Sequence, residues 1–337
     1  MKKNLFLLLL LMLVPVLALA QDAYKKNIDA AMNGDAKAQN TIGMCYINGD
    51  GVAKDYTQAV SWFRKAAEQG DMYGMFNMGC CYDNGQGVNK DVTQAAFWYR
   101  KAADKGHITA QYNLGCYYES GNGVEKDLSQ AVSWYRKAAE QGYASAQNNL
   151  GICYINGKGV TKDYDQAVFW FRKATEKGHA NSQYLLGLCY IDGFGVEKDF
   201  AKAASWIMKA AERGYANAQF KMGDCYYYGQ GVEQDYAQAV FWYTKAAEKG
   251  HIGAQTSLGV CYYDGKGVAK DLAKAIFWYR KAADKGEMHA QCNLGICYEY
   301  AQGVEKDIAQ AIFWYRKAAA QGHQKAQDAL QKLEGQQ

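Results

Sequence analysis

Apolar and polar positions recur along the chain with a period of 36 residues and without one insertion. Gly43, Gly79, Gly115, Gly151, Gly187, Gly223, Gly259 and Gly295 mark the period, and three residues after each stands a tyrosine, from Tyr46 to Tyr298. A Gly-Val pair follows in every copy, from Gly51-Val52 to Gly303-Val304, then an aspartate three residues on, from Asp55 to Asp307. All eight tryptophans fall on one position, from Trp62 to Trp314, and each unit closes on a glycine, from Gly70 to Gly322. A fixed period of this length marks supersecondary units that stack on one another.

One unit can be read from its spacing. Ala38, Ile42 and Tyr46 are four apart and line one face of a helix over about residues 38–48. Gly43 lies beside that stripe, at a cost of about 1 kcal/mol relative to alanine, which close approach of a neighbouring helix would offset. Gly49-Asp50-Gly51 ends the helix. Asp55 then stands where an N-cap belongs, ahead of a second helix over residues 56–69 that carries Ala59, Trp62, Phe63 and Ala66 at helical spacing. Lys65 suits the negative end of that helix and Gly70 its left-handed cap.

A lone helix pair cannot bury such a stripe, whereas stacked pairs can. Residues 21–34 read as an N-terminal capping helix, 35–322 as eight repeats, and 323–337 as a C-terminal capping helix and tail in which Gln331 replaces the interior glycine. The expected class is all-α, an α/α solenoid (superhelix) of eight 36-residue helix-turn-helix repeats with half-repeat caps, about 18 helices in one continuous array.

Composition adds limits rather than a reaction. Of the 337 residues 49% are apolar and 14% aromatic, which excludes a disordered chain. The 38 basic and 34 acidic residues leave a formal charge of +4, a poor footprint for nucleic acid. Residues 1–20 have the form of a secretory leader: Lys2 and Lys3, an apolar run over 5–14, and Ala18-Leu19-Ala20 before a cut ahead of Gln21. An uncleaved anchor is the other reading, and the run is short for a spanning helix of ~20 residues. No cysteine follows the cut and no later segment resembles a span, so the expected location is periplasmic or secreted, with no stable membrane insertion once the leader is gone.

The repeated residues, in the fourth copy Ala146, Leu150-Gly151, Tyr154, Gly157, Gly159-Val160, Asp163, Ala167, Trp170, Ala174 and Gly178, resemble the Sel1-like repeat family, relatives of the tetratricopeptide repeats. The resemblance covers about residues 35–322, with Gly74 and Ser182, Thr175 and Ala301 as small departures. It implies a right-handed superhelix of antiparallel helix pairs that serves as a protein-interaction scaffold, with first helices lining the concave side.

Seven of the ten cysteines share one position, Cys45, Cys81, Cys153, Cys189, Cys225, Cys261 and Cys297, and read as small buried apolar residues. Cys80, Cys116 and Cys292 stand apart, and Cys80 and Cys116, on a more exposed face, are the candidates for a reactive or redox-sensing thiol. The cysteine-rich exported relatives clip helix pairs with disulfides between positions that hold Ala67 and Met75, Ala103 and Gln111, or Ala139 and Gln147 here, so that framework is absent. Some of those relatives are linked with penicillin binding and β-lactam hydrolysis, which makes a β-lactam or peptidoglycan-related binder or hydrolase the alternative function. No S-x-x-K, G-x-S-x-G or H-E-x-x-H motif is present. His107, His179, His251 and His323 recur 72 residues apart, too far for one metal, and record duplication of a two-repeat unit. No catalytic residue, metal, cofactor or disulfide is assigned.

The positions left free by the fixed stripe of the first helix carry the remaining information. Three residues before the interior glycine stand Phe76, Tyr112, Tyr184 and Phe220, with Asn40 and Asn148 in other copies; two before it stand Asn77, Asn113, Asn149 and Asn293. Further on lie Tyr227, Tyr228, Tyr263 and Tyr300. Rings give rigid contact area and asparagine amides can pair with a peptide backbone, so these residues are the expected groove for a partner peptide or protein. The other reading of the rings is packing against the neighbouring repeat.

Overall fold

A computed structural model describes residues 23–335; the proposed leader at 1–20 lies outside them. Among the described residues there are eighteen helices, α1–α18, and no strand. α1 covers residues 23–32. Eight pairs follow: α2 (Ala36–Asn48) with α3 (Tyr56–Glu68), α4 (Met72–Asn84) with α5 (Val92–Asp104), α6 (Ile108–Ser120) with α7 (Leu128–Glu140), α8 (Ala144–Asn156) with α9 (Tyr164–Glu176), α10 (Ala180–Asp192) with α11 (Phe200–Glu212), α12 (Ala216–Tyr228) with α13 (Tyr236–Glu248), α14 (Ile252–Asp264) with α15 (Leu272–Ala283), and α16 (Met288–Glu299) with α17 (Ile308–Ala319). α18 (Gln324–Glu334) closes the series. The array is an α-solenoid. Its packing divides into two compact units, one ending at Lys173 and one beginning at Ala174. Within each unit, a first helix packs on its own second helix and on the second helix before it, as α4 does on α5 and α3, and α14 on α15 and α13.

Local chemistry fixes the helix ends. Asp55 Oδ1 accepts from the backbone N–H of Thr57 and Gln58 at 2.9 and 3.0 Å, and Asp91, Asp127 and Asp235 cap their helices in the same way. First helices end on a left-handed glycine such as Gly49, φ 82°, whose N–H reaches the Cys45 carbonyl. In the last pair alanine stands at this register. Ala301 keeps φ at 53°, and α16 ends one residue early on Tyr300.

The core of each repeat is a layer of alanines and one large apolar side chain. Ala59, Ala66, Ala131 and Ala138 are at most 1% exposed, and the residue after each tryptophan is buried, a ring in seven repeats (Phe63, Tyr99, Tyr135, Phe171, Tyr243, Tyr279, Tyr315) and Ile207 in the other. That ring accounts for the interior glycine. A Cβ on Gly79 would lie 2.6 Å from the Tyr99 ring, so the space is filled by a side chain crossing the helix rather than by a closer backbone. A second layer is polar. Buried Gln39, Gln111, Gln147, Gln219, Gln255 and Gln291 each donate from Nε2 to the carbonyl of the alanine eight residues earlier, at 3.0–3.2 Å. These bonds satisfy a carbonyl at the end of the preceding second helix. At the ends, Ala31 of α1 packs with Ile42, and Ala326 and Leu333 of α18 are buried while Gln331 is exposed.

Candidate functional site

The first helices present the surface on which the expected groove residues stand. In the unit ending at Lys173, the Phe76 ring stacks on His107, with centroids 4.3 Å apart and planes at 17°. Tyr112 leans on Tyr143 at 5.1 Å. Asn77 Nδ2 donates to Asn40 Oδ1 at 2.7 Å, a contact between consecutive first helices. Asn113 is half-buried. Asn149 accepts from Asn148 Nδ2 at 3.2 Å and lies beside the Tyr112 and Tyr135 hydroxyls. Asn148 is a correction: at 4% exposure it is enclosed and lines no open surface, and its amide donates to its neighbour Asn149.

In the unit beginning at Ala174 the same rings fit against the next repeat. Tyr184 packs on Tyr215 at 5.5 Å and Phe220 stacks on His251 at 4.5 Å. Each of these rings therefore rests half-buried on the residue that opens the following first helix. Tyr227 accepts from Lys266 Nζ at 3.0 Å, and Tyr263 donates to Gln302 Oε1. Tyr228 and Tyr300 stand clear, 65% and 56% exposed. Asn293 and Tyr263 share the lining of one cavity.

The rings after the tryptophans reach the same surface from below. Their hydroxyls emerge between first helices and meet carboxylates: Tyr135 donates to Glu119 at 2.6 Å, Tyr315 to Glu299 at 2.7 Å and Tyr243 to Asp224 at 2.9 Å. Tyr99 lies 3.5 Å from Asp83. Burial pushes the Asp224 carboxyl above the usual range, and the Tyr243 hydrogen bond opposes it.

The thiols are all free, and eight of the ten are buried. Cys80 and Cys116 are half-buried, 3.6 and 3.4 Å from the Tyr99 and Tyr135 hydroxyls. Burial pushes both pKa values up, with the tyrosine hydrogen bonds opposing it, so neither sits in a setting that makes a thiolate at neutral pH. Among the described residues no group of three His, Cys, Asp or Glu side chains could hold a metal, and no helix is long and apolar enough to cross a membrane.

Three features escaped the sequence. The recurring histidines are N-caps: His107 and His251 Nδ1 each accept at 3.1 Å from the N–H three residues on, as Asp35, Asp71 and Glu287 do in their copies. Their register, one residue after the closing glycine, was the available signal. The buried glutamines have no place in the reading of the repeat from its spacing. On the second helices, Phe97, Phe241, Phe277 and Phe313 are about half exposed, each under a lysine ammonium four residues on at 4.4–4.8 Å. Where serine replaces the phenylalanine, the lysine sits on tryptophan instead, as Lys137 does over Trp134 at 3.8 Å.

Paired helices capped by aspartate and turned on left-handed glycines, repeated eight times, define an α-solenoid repeat protein. The family model for the Sel1 repeat matches residues 36–71, 73–107, 108–143, 144–179, 180–215, 216–251, 252–287 and 289–323, and the chain belongs to the Sel1 repeat family. A protective antigen of uropathogenic Escherichia coli with an SLR fold is 44% identical, with a TM-score of 0.85 over 91% of this chain and 66% of the antigen. This chain thus spans slightly less than two thirds of that relative's length. A Sel1 repeat protein from Oxalobacter formigenes is 33% identical, with a TM-score of 0.72 over 92% of this chain and 89% of its own. No curated protein matches the chain. Sel1 repeat proteins generally act as non-enzymatic scaffolds for protein–protein interaction.

Proposed function

We propose that this protein is an exported interaction scaffold that holds an extended segment of a partner protein along its first-helix surface, each unit adding its own short run of contacts. The observation that carries the reading is the exposure of large rings on that surface. Tyr228 and Tyr300 leave more than half their area in solvent, while the rings at another register, Phe76, Tyr112, Tyr184 and Phe220, are half-buried against the next repeat. Exposed rings offer contact area at low entropy cost, and in the other unit half-buried amides such as Asn77 and Asn113 offer pairing for a backbone. Several weak contacts, each supplied by a compact unit, sum to a selective grip. Export rests on the leader pattern at residues 1–20.

The test is a crosslinking pull-down from the exported fraction with the intact protein and with Asn113→Ala/Tyr228→Ala as bait. Both changes lie on accessible surface and should leave the melting temperature within about 1 °C, consistent with small surface effects. A partner recovered by the parent and lost by the double variant supports the reading. Undiminished capture by the variant removes the first-helix surface from the interaction, and absence of the protein from the exported fraction removes export.

A further inference from the structure

The residue before each tryptophan is a serine in three repeats, Ser61, Ser133 and Ser205, and a phenylalanine in the other five. The second helix forms either way, so the fold does not call for a ring at this register. In the unit beginning at Ala174, three successive second helices nevertheless carry one: Phe241 on α13, Phe277 on α15 and Phe313 on α17. The three are 46–51% exposed. Each meets its tryptophan with centroids 5.0 Å apart and planes at 78–82°. Each also lies under a lysine ammonium at 4.4–4.8 Å, from Lys245, Lys281 and Lys317. The rings are therefore held in place while about half their area stays in water. One exposed ring is ordinary, but a row of three at one register marks a contact surface.

The charge of the row selects what covers it. Lys245, Lys281 and Lys317 are in no ion pair among the described residues, and Arg280 is exposed beside them. The acids nearby, Glu248 and Asp284, are each followed directly by a further lysine, Lys249 and Lys285. The cap aspartates stand at the opposite helix ends, ten residues or about 15 Å from the lysines over the rings. A second copy of the same face would oppose like charges, so the complement is anionic. One face of each ring is covered by its ammonium, which suits the rings to insertion into an apolar layer better than to stacking on a flat ligand. Beside Phe277 there is a cavity of about 470 Å³, lined by Ala273, Ile276 and Val304 with Arg280 and Lys281. The same two groups, a ring and a cation, recur at all three repeats. A folded protein would have to match them with three acid-rimmed pockets in register, whereas an anionic bilayer offers phosphates over apolar chains at every point.

We propose that the second-helix face of α13, α15 and α17 is a docking surface for an anionic lipid bilayer. Lys245, Lys281, Lys317 and Arg280 meet the headgroup phosphates, and Phe241, Phe277 and Phe313 enter the interface beneath them. The protein adsorbs to the surface with no helix spanning it. The face uses residues apart from the first-helix surface proposed above, so either can fail alone.

The test is flotation of the intact protein with vesicles of equal parts phosphatidylglycerol and phosphatidylcholine, against phosphatidylcholine alone. Binding to the anionic vesicles should be about tenfold or more the tighter, and should weaken with added salt. Phe241→Ser/Phe277→Ser/Phe313→Ser should weaken it by about tenfold or more. Serine already stands at this register in three repeats, so the variant should keep the fold, which its melting curve checks. Lys281→Gln/Lys317→Gln should weaken binding several-fold through charge alone and leaves the rings in place. Asn113→Ala/Tyr228→Ala should float as the parent does. No flotation with the anionic vesicles, equal flotation with phosphatidylcholine alone, or indifference to the phenylalanine or the lysine changes would overturn the proposal. Capture by immobilised polyglutamate that depends on the same three rings would overturn it too, and would mark the face as a site for an acidic protein.

Discussion

A Cβ on Gly223 would lie 2.3 Å from Cδ1 of Tyr243, a distance no real contact holds. Tyr243 is 2% exposed and bound to Asp224, so its ring cannot swing aside without breaking both packing and a hydrogen bond. Alanine in place of a mid-helix glycine gains about 1 kcal/mol of helix propensity. Overpacking of a filled core costs about 1–3 kcal/mol, and the loss wins. Gly223→Ala should therefore destabilise the protein by about 1–2 kcal/mol in chemical denaturation, whereas propensity alone would stabilise it.

The glutamine ladder gives a prediction of opposite sign. Gln69, Gln141 and Gln321 each donate to the Oε1 of a buried ladder glutamine, Gln39, Gln111 and Gln291, at 2.8–2.9 Å. At the same register near Gln219 and Gln255 stand Lys249 and Lys285, which bond the Gly214 and Gly250 carbonyls instead, and Oε1 of Gln219 and Gln255 lacks a partner. Lys285→Gln supplies the missing donor. Gln141 shows that the amide can also touch the earlier glycine carbonyl, here Gly106 at 3.3 Å. The variant should be more stable by about 1 kcal/mol, the size of one satisfied buried acceptor. Unchanged or lower stability would show that the orphaned oxygen costs little.

Much of this fold was legible because every local signal is repeated eight times in register. Asp55 as a cap, Gly49 as a left-handed turn and Trp62 as core follow from one unit and are reinforced by the others. What escaped depends on contacts between units. Gln255 carries no signal until the Ala247 carbonyl is seen 3.1 Å away. His251 reads as a duplication mark until its Nδ1 is seen to accept from Ala254. The spacing within one helix puts Asn148 among the free positions, because it describes a helix before packing, and Asn148 is 4% exposed in the fold.

The histidine caps make stability depend on pH. His107, His179, His251 and His323 accept a backbone N–H at Nδ1, which only a neutral ring with its proton on Nε2 can do. Burial lowers all four pKa values below the ordinary value; at His107 the Asp71 carboxylate pulls the other way, and at His323 the nearby His289 adds to the lowering. A depressed folded-state pKa means that the unfolded chain binds more protons as pH drops. The stabilisation is complete above about pH 6.5 and is lost as pH falls through the folded-state values. The melting temperature should fall by several degrees between pH 7.5 and pH 5. His251→Asp, with the cap used at Asp71, should lose less over that interval. A flat profile for the parent would mean that the imidazoles contribute no cap.

The thiols allow a prediction about chemistry that the fold withholds. Burial pushes Cys81 up to about 12 and Cys153, Cys189, Cys225, Cys261 and Cys297 up to about 11. Cys45, Cys80, Cys116 and Cys292 are raised by the same cause. A thiol at about 11 is roughly one part in a thousand thiolate at pH 8, and the thiolate is the reacting species. Native protein with Ellman's reagent at pH 8 should release almost no fast colour, and all ten thiols should react within minutes in guanidinium. Cys80 and Cys116 decide the matter, because they are half-buried and each sits against a tyrosine hydroxyl that would steady a thiolate. If both react at the rate of a free cysteine while the fold is intact, their hydrogen bonds outweigh burial and a redox role returns. Slow reaction that tracks unfolding means that they, like the seven registered cysteines, serve as packing.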